Sequence, residues 1–429
     1  MTESSSLSSI PIDVIRDHLT FFLSAESCLR FSLTNQSYFH LYQQSDFANK
    51  TWEIFFQRKW RILYSSDEEE MSSFINENEN LWLARYNRQL KQDADTISTL
   101  ELFLEFENPL RLLKMPHFKN AWFRLVQKGA FATDAVHSVW VAEKSNENKI
   151  FLESLVQATC QFSVISKIKV STEEMNTWPI EKLPTYLAKI VDWNLYLQNC
   201  DSSISIDYYV DKELNTFAEI IQTHLQHKHP SCMDGCYPIL SIIEAMKTIF
   251  IRPSEANQNA LASNFSNEFS FSVKEQGSLS PFVGNTINYY AVSNSMIHKV
   301  LFFRTGIPIT LSVIYAAIVR RATGVQLDPL GIPGHFLLST VISDEQSNTE
   351  QRIFIDVFDG GSIMTINDVQ RLLLSFGVSW SDSFLKPASN IEICSRMIRN
   401  VLNCPDFSSS DTSCIYSFLK FLSKKEVEE

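Results

Sequence analysis

Residues 306–324 read GIPITLSVIYAAIVRRATG, and this stretch carries the clearest helix signal in the chain. Pro308 suits the first helical turn, because that turn needs no N–H donor from it. Arg320 and Arg321 place positive charge in the last turn, where the helix dipole favours it, and Gly324 follows as a terminator. The apolar residues recur at three- and four-residue spacing and form one stripe: Leu311, Ile314, Tyr315, Ile318 and Val319. The pattern predicts a helix from Pro308 to Arg321.

Two strands are predicted downstream of this helix, at His335–Val341 and Ile353–Phe358, and an Asp-Gly-Gly turn follows the second strand. Helical periodicity extends from Leu81 to about Leu197. Further helices are predicted at Tyr237–Ile251, Val369–Leu374, Ser395–Leu402 and Cys414–Leu422. The predicted fold class is therefore mainly α, with a smaller α+β part.

Composition and charge exclude several classes of function. The chain has 429 residues, 45% of them hydrophobic, which is enough for two or three compact units with buried cores. Its net charge of −12 argues against a nucleic-acid partner, because phosphate backbones require clustered positive charge. The most apolar window, residues 307–319, is shorter than the ~20 residues that span a bilayer, so no membrane partner is expected.

The start of the chain and its cysteines predict the compartment. Met1 is followed by TESSS, without the basic and apolar stretches of a signal peptide. The eight cysteines are scattered, which argues against a disulfide framework. We therefore expect a cytoplasmic or nuclear protein.

Several motifs in the second half resemble the SirB-type transglutaminase-like family. They are FVGN at 282–285, YY at 289–290, NS at 294–295, GIPITLS at 306–312, PGHFL at 333–337 and FIDVFDGG at 354–361. The resemblance covers residues 178–402 and implies a transglutaminase-like, papain-like α+β domain. A polar stretch at 252–280 is an insertion relative to the family.

The resemblance also bears on catalysis, because transglutaminases and papain-like hydrolases use Cys, His and Asp. His335 and Asp356 stand at positions similar to the last two members. The nucleophilic cysteine belongs at the start of the central helix, near Pro308 or Ile309, yet no cysteine lies between Cys236 and Cys394. We therefore expect a vestigial site at Thr310, Ser312, His335 and Asp356, with no catalytic residue. The alternative is a hydrolase or transferase that uses a hydroxyl of Thr310 or Ser312 with His335 and Asp356.

The first 60 residues contain a mostly apolar set at helical spacing: Ile10-Pro11, Val14-Ile15, Leu19, Phe22-Leu23, Cys28-Leu29, Phe31-Ser32-Leu33, Phe39 and Trp52. In order and spacing this set resembles the F-box, a module of about fifty residues that binds the Skp adaptor of Skp–cullin–F-box ubiquitin ligases. An ordinary helical cap is the alternative interpretation. The resemblance implies adaptor binding by nine residues: Ile10, Pro11, Val14, Ile15, Leu19, Leu23, Leu29, Leu33 and Trp52.

Together the two resemblances predict four regions: an F-box at 8–60, a helical linker at 61–177, the transglutaminase-like domain at 178–402 and a helical tail at 403–429. They imply a substrate receptor that binds the Skp adaptor, through it cullin, and an unknown protein substrate. A vertebrate F-box protein that joins the same two modules also carries a third domain, similar to hemimethylated-DNA-binding modules. This sequence is expected to lack that domain, so no function that depends on it is carried over.

Three histidines and two cysteines are close in sequence: His224, His227, His229, Cys232 and Cys236. Both residue types bind zinc, but the spacing lacks the paired Cys-x-x-Cys of standard structural sites. We predict that this cluster holds no metal and that the chain needs no cofactor. A structural zinc site is the alternative.

Overall fold

The computed structural model describes residues 45–60, 81–106, 109–168, 171–193, 205–232, 236–255, 280–344, 349–407 and 412–427, with residues 25, 27 and 195. The chain divides into two compact units, Met1–Ser166 and Lys167–Glu429. Each unit is described by itself.

The first unit is helical throughout its described residues. Its helices are α1 (Ser45–Lys59), α2 (Leu81–Leu104), α3 (Pro109–Leu112), α4 (Pro116–Gln127), α5 (Ala130–Ala142) and α6 (Asn146–Ser166). Large rings join α1 to α2 in a buried cluster of Trp52, Phe55, Phe56, Trp60 and Trp82. The indole N–H of Trp60 donates a hydrogen bond of 2.8 Å to Asp93 on α2, which satisfies a buried polar group.

Helices surround two small sheets in the second unit. The helices are α7 (Thr172–Thr177), α8 (Lys182–Val191), α9 (Ile206–Lys228), α10 (Ile239–Met246), α11 (Ile297–Phe303), α12 (Pro308–Thr323), α13 (Ile366–Ser375), α14 (Asn390–Leu402) and α15 (Thr412–Val427). The strands are β1 (Phe250–Ile251), β2 (Phe282–Gly284), β3 (Thr305–Gly306), β4 (Asp328–Leu330), β5 (Leu337–Asp344), β6 (Thr349–Asp356) and β7 (Ser362–Met364). The described residues are thus mainly α with a smaller α+β part, which confirms the predicted fold class.

The two sheets differ in topology. Strands β1, β2 and β3 form a parallel sheet in that order, and β4, β5, β6 and β7 form an antiparallel one. The longest pairing joins β5 to β6, with Leu338 opposite Ile355 and Asp344 opposite Thr349. This register brings the start of β5 to the end of β6.

Helix α12 is the central element of this unit. It begins at Pro308, as the sequence predicts, and continues to Thr323, and Gly324 ends it in the left-handed conformation at φ 76°. Nearly all of its side chains are buried, on every face and not only on the predicted stripe. A helix with apolar residues all round belongs in the interior of a domain.

One predicted helix is shorter than expected. The stretch from Tyr237 to Ile251 was expected to be helical, but α10 ends at Met246 and the chain then enters β1. Phe250 and Ile251 pair with Phe282 and Val283 of β2. This pairing uses backbone groups that a longer helix would need, so tertiary structure overrides the local pattern.

No helix in the described part of the chain is both long enough and apolar enough to cross a membrane.

Candidate functional site

The start of α12 is where a transglutaminase nucleophile would stand. Ile307 has an extended backbone, and Pro308 and Ile309 form the first helical positions with buried side chains. Gly306 precedes them in β3, where an added Cβ would lie 2.9 Å from Val300. The first two helical positions, Pro308 and Ile309, are therefore fixed by tight apolar packing and carry no nucleophilic side chain.

His335 and Asp356 form a hydrogen-bonded pair. Asp356 is the last residue of β6, and His335 lies two residues before β5, so the register of the two strands brings them together. The His335 Nε2 lies 3.0 Å from the Asp356 Oδ1, and both side chains are mostly buried. The backbone N–H of Asp359 donates to the same oxygen at 3.2 Å, so the turn after β6 orients the carboxylate. The structure joins these two predicted site residues.

Thr310 and Ser312 are not hydrogen-bonded to this pair. Both are fully buried on α12, and neither hydroxyl has a hydrogen-bond partner among the described residues. Neither hydroxyl is therefore hydrogen-bonded to His335. The four residues predicted as one site separate into an imidazole–carboxylate pair and two core hydroxyls.

Arg396, on α14, fixes the turn that carries His335. Its Nη2 donates to the carbonyl oxygens of Ile332 at 2.8 Å and His335 at 2.9 Å, and its guanidinium lies 5.7 Å from the Phe336 ring. Burial lowers the pKa of this guanidinium. From the sequence, this arginine is predicted only as a part of the helix Ser395–Leu402. Its contacts depend on long-range packing, which sequence spacing does not encode.

Phe358 forms one wall beside the pair. Its ring centroid lies 6.1 Å from that of His335, with the planes nearly perpendicular, and 6.3 Å from that of Tyr289. Gly284 on β2 is in direct contact with Phe358, and an added Cβ would approach the ring to 2.6 Å. This close approach explains the glycine of the FVGN motif.

Two asparagines hold the loop that carries Tyr289. The Asn285 Oδ1 accepts the backbone N–H groups of Ile287 and Asn288, and its Nδ2 donates to the Asn294 Oδ1 at 3.0 Å. The Nδ2 of Asn294 donates to the carbonyl oxygens of Asn288 and Tyr289. Both side chains are buried, so these bonds fix the loop against the domain.

Most of the predicted adaptor-binding residues, from Ile10 to Leu33, lie outside the described residues. Trp52 is described and is only 5% exposed, because it packs against Phe55 and Tyr86 at ring distances of 5.7 and 5.1 Å. Its contacts in this structure join α1 to α2. Adaptor binding by all nine residues stays a prediction.

The histidine–cysteine cluster is partly described. His229 hydrogen-bonds through Nε2 to the Ser241 hydroxyl at 2.8 Å. Within the described ranges, no three His, Cys, Asp or Glu side chains are arranged so that they could hold a metal ion. That this cluster holds no metal stays a prediction.

Comparisons with known proteins identify one family and several relatives. Residues 210–399 match the model of the transglutaminase-like superfamily. The human and mouse proteins named F-box only protein 21 are each 25% identical to this chain over 230 residues, which are 52% of this chain and 34% of each relative. A protein named UPF0162 from Xylella fastidiosa strain 9a5c is 24% identical over 221 residues, which are 50% of this chain and 66% of that protein.

The chain thus spans about a third of the length of the F-box relatives that it matches. No solved structure matches it. The matched range lies inside the predicted 178–402, whose outer bounds stay a prediction. The predicted resemblance is nevertheless confirmed: the chain carries a domain of the transglutaminase-like superfamily over residues 210–399.

Proposed function

We propose that this protein is the substrate-recognition subunit of a Skp–cullin–F-box ubiquitin ligase. In this proposal the F-box at residues 8–60 binds the Skp adaptor and, through it, cullin. The transglutaminase-like domain presents a surface to a protein substrate, in the cytoplasm or nucleus. The chain then acts by proximity: it holds the substrate near a conjugating enzyme that carries ubiquitin, and it takes no part in the reaction itself.

One observation carries this proposal over an enzymatic one: among the described residues, no hydroxyl or thiol is hydrogen-bonded to the His335–Asp356 pair. Pro308 and Ile309 occupy the start of α12, and the Thr310 and Ser312 hydroxyls are buried away from hydrogen bonds. A hydroxyl nucleophile needs a general base within hydrogen-bond distance. The geometry therefore supports a binding role better than a hydrolase or transferase. The similarity to proteins named F-box only protein 21 supports the adaptor partnership.

The experiment combines an adaptor pull-down with an F-box variant. Interface energy concentrates in few residues, so Pro11→Ala with Leu29→Ala is expected to weaken adaptor binding by more than ~2 kcal/mol, or about thirtyfold. The matched control is Leu240→Ala, an exposed leucine on α10 in the second unit, which should bind like wild type.

Circular dichroism and a melting curve must show that the double variant is folded. A folded double variant that binds the adaptor at the wild-type level would refute the proposal. An activity-based hydroxyl probe that labels Thr310 or Ser312, and no longer does so in His335→Ala, would favour the enzyme instead.

A further inference from the structure

Four aromatic side chains are connected by contacts to His335 or to its neighbour Gly334, and we call them the aromatic rim: Tyr289, Tyr290, Phe358 and Phe376. Tyr289 contacts Tyr290 at a ring distance of 5.2 Å and also contacts Phe358, which packs beside His335. Phe376 lies against Gly334, the neighbour of His335, at 3.1 Å from where a Cβ would be. The turn after β6 therefore brings Phe358 to His335, the two tyrosines extend from Phe358, and Phe376 packs on the residue before His335.

Part of this rim faces solvent. Tyr290 is 64% exposed and Phe376 is 46% exposed, and the nearby Ile287 is exposed as well. The asparagine pair holds the loop of Tyr289 and Tyr290, so these rings are presented from a fixed backbone. Aromatic side chains on a fixed backbone lose little conformational entropy when they bind an apolar partner.

His335 adds a polar group to this surface. Because a carboxylate only accepts hydrogen bonds, Asp356 places the proton of the neutral ring on Nε2 and leaves Nδ1 as an acceptor. Among the described residues Nδ1 has no hydrogen-bond partner, and it is not among the fully buried atoms. The side chain as a whole is 11% exposed. A ligand that reaches this edge of the ring must supply a hydrogen-bond donor.

Two charged groups lie next to His335. The Asp356 Oδ1 accepts from His335 and Asp359, and the Arg396 Nη2 donates to two backbone carbonyls. The free acceptor of His335 beside aromatic rings therefore suits a hydrogen-bond donor that is attached to an apolar group. A peptide supplies both within one residue, as a backbone N–H and an apolar side chain.

We propose that the aromatic rim and the His335 Nδ1 bind an extended peptide segment of a protein partner, with an apolar or aromatic side chain on the rim and an N–H donated to His335. The inference rests on the proposed function, in which this domain receives a protein substrate.

The test selects peptides from a phage-displayed random linear library on the purified full chain. The selected peptides are then synthesised and titrated against variants. We expect the sequences to share an apolar or aromatic residue. Tyr290→Ala and His335→Ala should each weaken binding at least about tenfold, since rim and acceptor lie at the centre of the contact. The matched control is Tyr208→Ala, a half-exposed tyrosine on α9, which should change the affinity less than about twofold.

A second measurement tests the hydrogen bond to His335. Methylation of each peptide nitrogen in turn should weaken binding to the wild type at one position, and that position should have little effect in His335→Ala. Tyr290 is mostly exposed, so its variant decides the proposal even if His335→Ala is unfolded. Peptides that bind equally well to Tyr290→Ala, or no selected peptide at all, would overturn the proposal. Full competition by a single N-acetylated amino-acid amide would also overturn it, in favour of a small-molecule site.

This experiment is independent of the adaptor. Binding to the rim without adaptor binding would leave the inference standing and refute the proposed function. Adaptor binding without a Tyr290-dependent peptide would do the reverse.

Discussion

Asp192 allows a test of how much one mostly buried carboxylate contributes to the free energy of unfolding. It follows the last turn of α8, and its carboxylate lies 2.7 Å from the His298 Nε2 and 2.9 Å from the Lys299 Nζ, both on α11. Burial alone would raise the pKa of Asp192, but the hydrogen bond and charge of His298 and the charge of Lys299 lower it from 3.8 to about 2. Burial in turn lowers the pKa of His298.

A lowered pKa in the folded state fixes the sign of the pH dependence. The unfolded carboxyl binds protons below about 4, whereas the folded one binds them only near 2. The stabilisation is therefore present above pH 4 and is lost as the pH falls toward 2. We expect the difference in free energy of unfolding between wild type and Asp192→Asn to shrink by about 2 kcal/mol across this window.

Urea unfolding at several pH values from 2 to 5 measures this difference. Because the variant cannot titrate at position 192, subtracting it removes the contributions of the other carboxyls. A difference that stays constant across the window would contradict the lowered pKa.

The candidate site was predictable from sequence only in part. His335 and Asp356 could be found because each belongs to a motif next to a strand, and neighbouring strands bring such residues together. Thr310 and Ser312 were grouped with them by closeness to the helix start, but helical rotation places both hydroxyls in the core. Tyr289 belongs to one of the quoted motifs and Arg396 to a predicted helix, but both reach the site by packing between segments far apart in sequence, which local spacing does not predict.

At the scale of elements, long periodic segments were predictable and short ones were not. Helix α12 was expected at 308–321 and is observed at Pro308–Thr323. Strands β5 and β6 are shifted from their predicted ranges, because pairing and not local pattern sets where a strand ends. Strands β1, β2 and β3 have only two or three residues each and were not foreseen. So few residues cannot show a periodicity of two.

Glu181 connects two elements that are far apart in sequence. It immediately precedes α8, and its Oε1 accepts from the guanidinium groups of Arg320 at 2.6 Å and Arg321 at 2.7 Å, in the last turn of α12. Its side chain is 5% exposed, whereas Asp211, which also pairs with Arg321, is 61% exposed. The two carboxylates therefore share a partner but differ in solvation.

This difference in solvation predicts that loss of the two charges lowers the free energy of unfolding by unequal amounts. Glu181→Gln removes the charge from a buried pair and should lower the free energy of unfolding by about 3 kcal/mol. Asp211→Asn removes an exposed pair and should lower it by less than about 1 kcal/mol. Urea denaturation of both variants gives the comparison. Equal costs would mean that burial does not govern this ion-pair network.

At the scale of the whole molecule, the second unit begins well before the family match. The unit starts at Lys167, while the matched range starts at residue 210. Helices α7 and α8 lie between these points. The Asn390 Nδ2 on α14 donates to the carbonyl oxygens of Met175 at 2.9 Å and Trp178 at 2.8 Å. On α8, three large apolar side chains are fully buried: Leu183, Leu187 and Ile190.

These contacts predict which fragment folds. Residues 167–429 contain both helices, so this fragment should give a cooperative melting curve and dispersed amide resonances. Residues 210–429 lack Glu181, Asp192 and the three large apolar side chains of α8. Each of these apolar side chains contributes about 1.5–3 kcal/mol on burial. A loss of that size approaches the whole stability of a domain, so the shorter fragment should be unfolded or aggregated. If it melted cooperatively at the same temperature as the longer fragment, α7 and α8 would be accessory helices and the family match alone would define the folding unit.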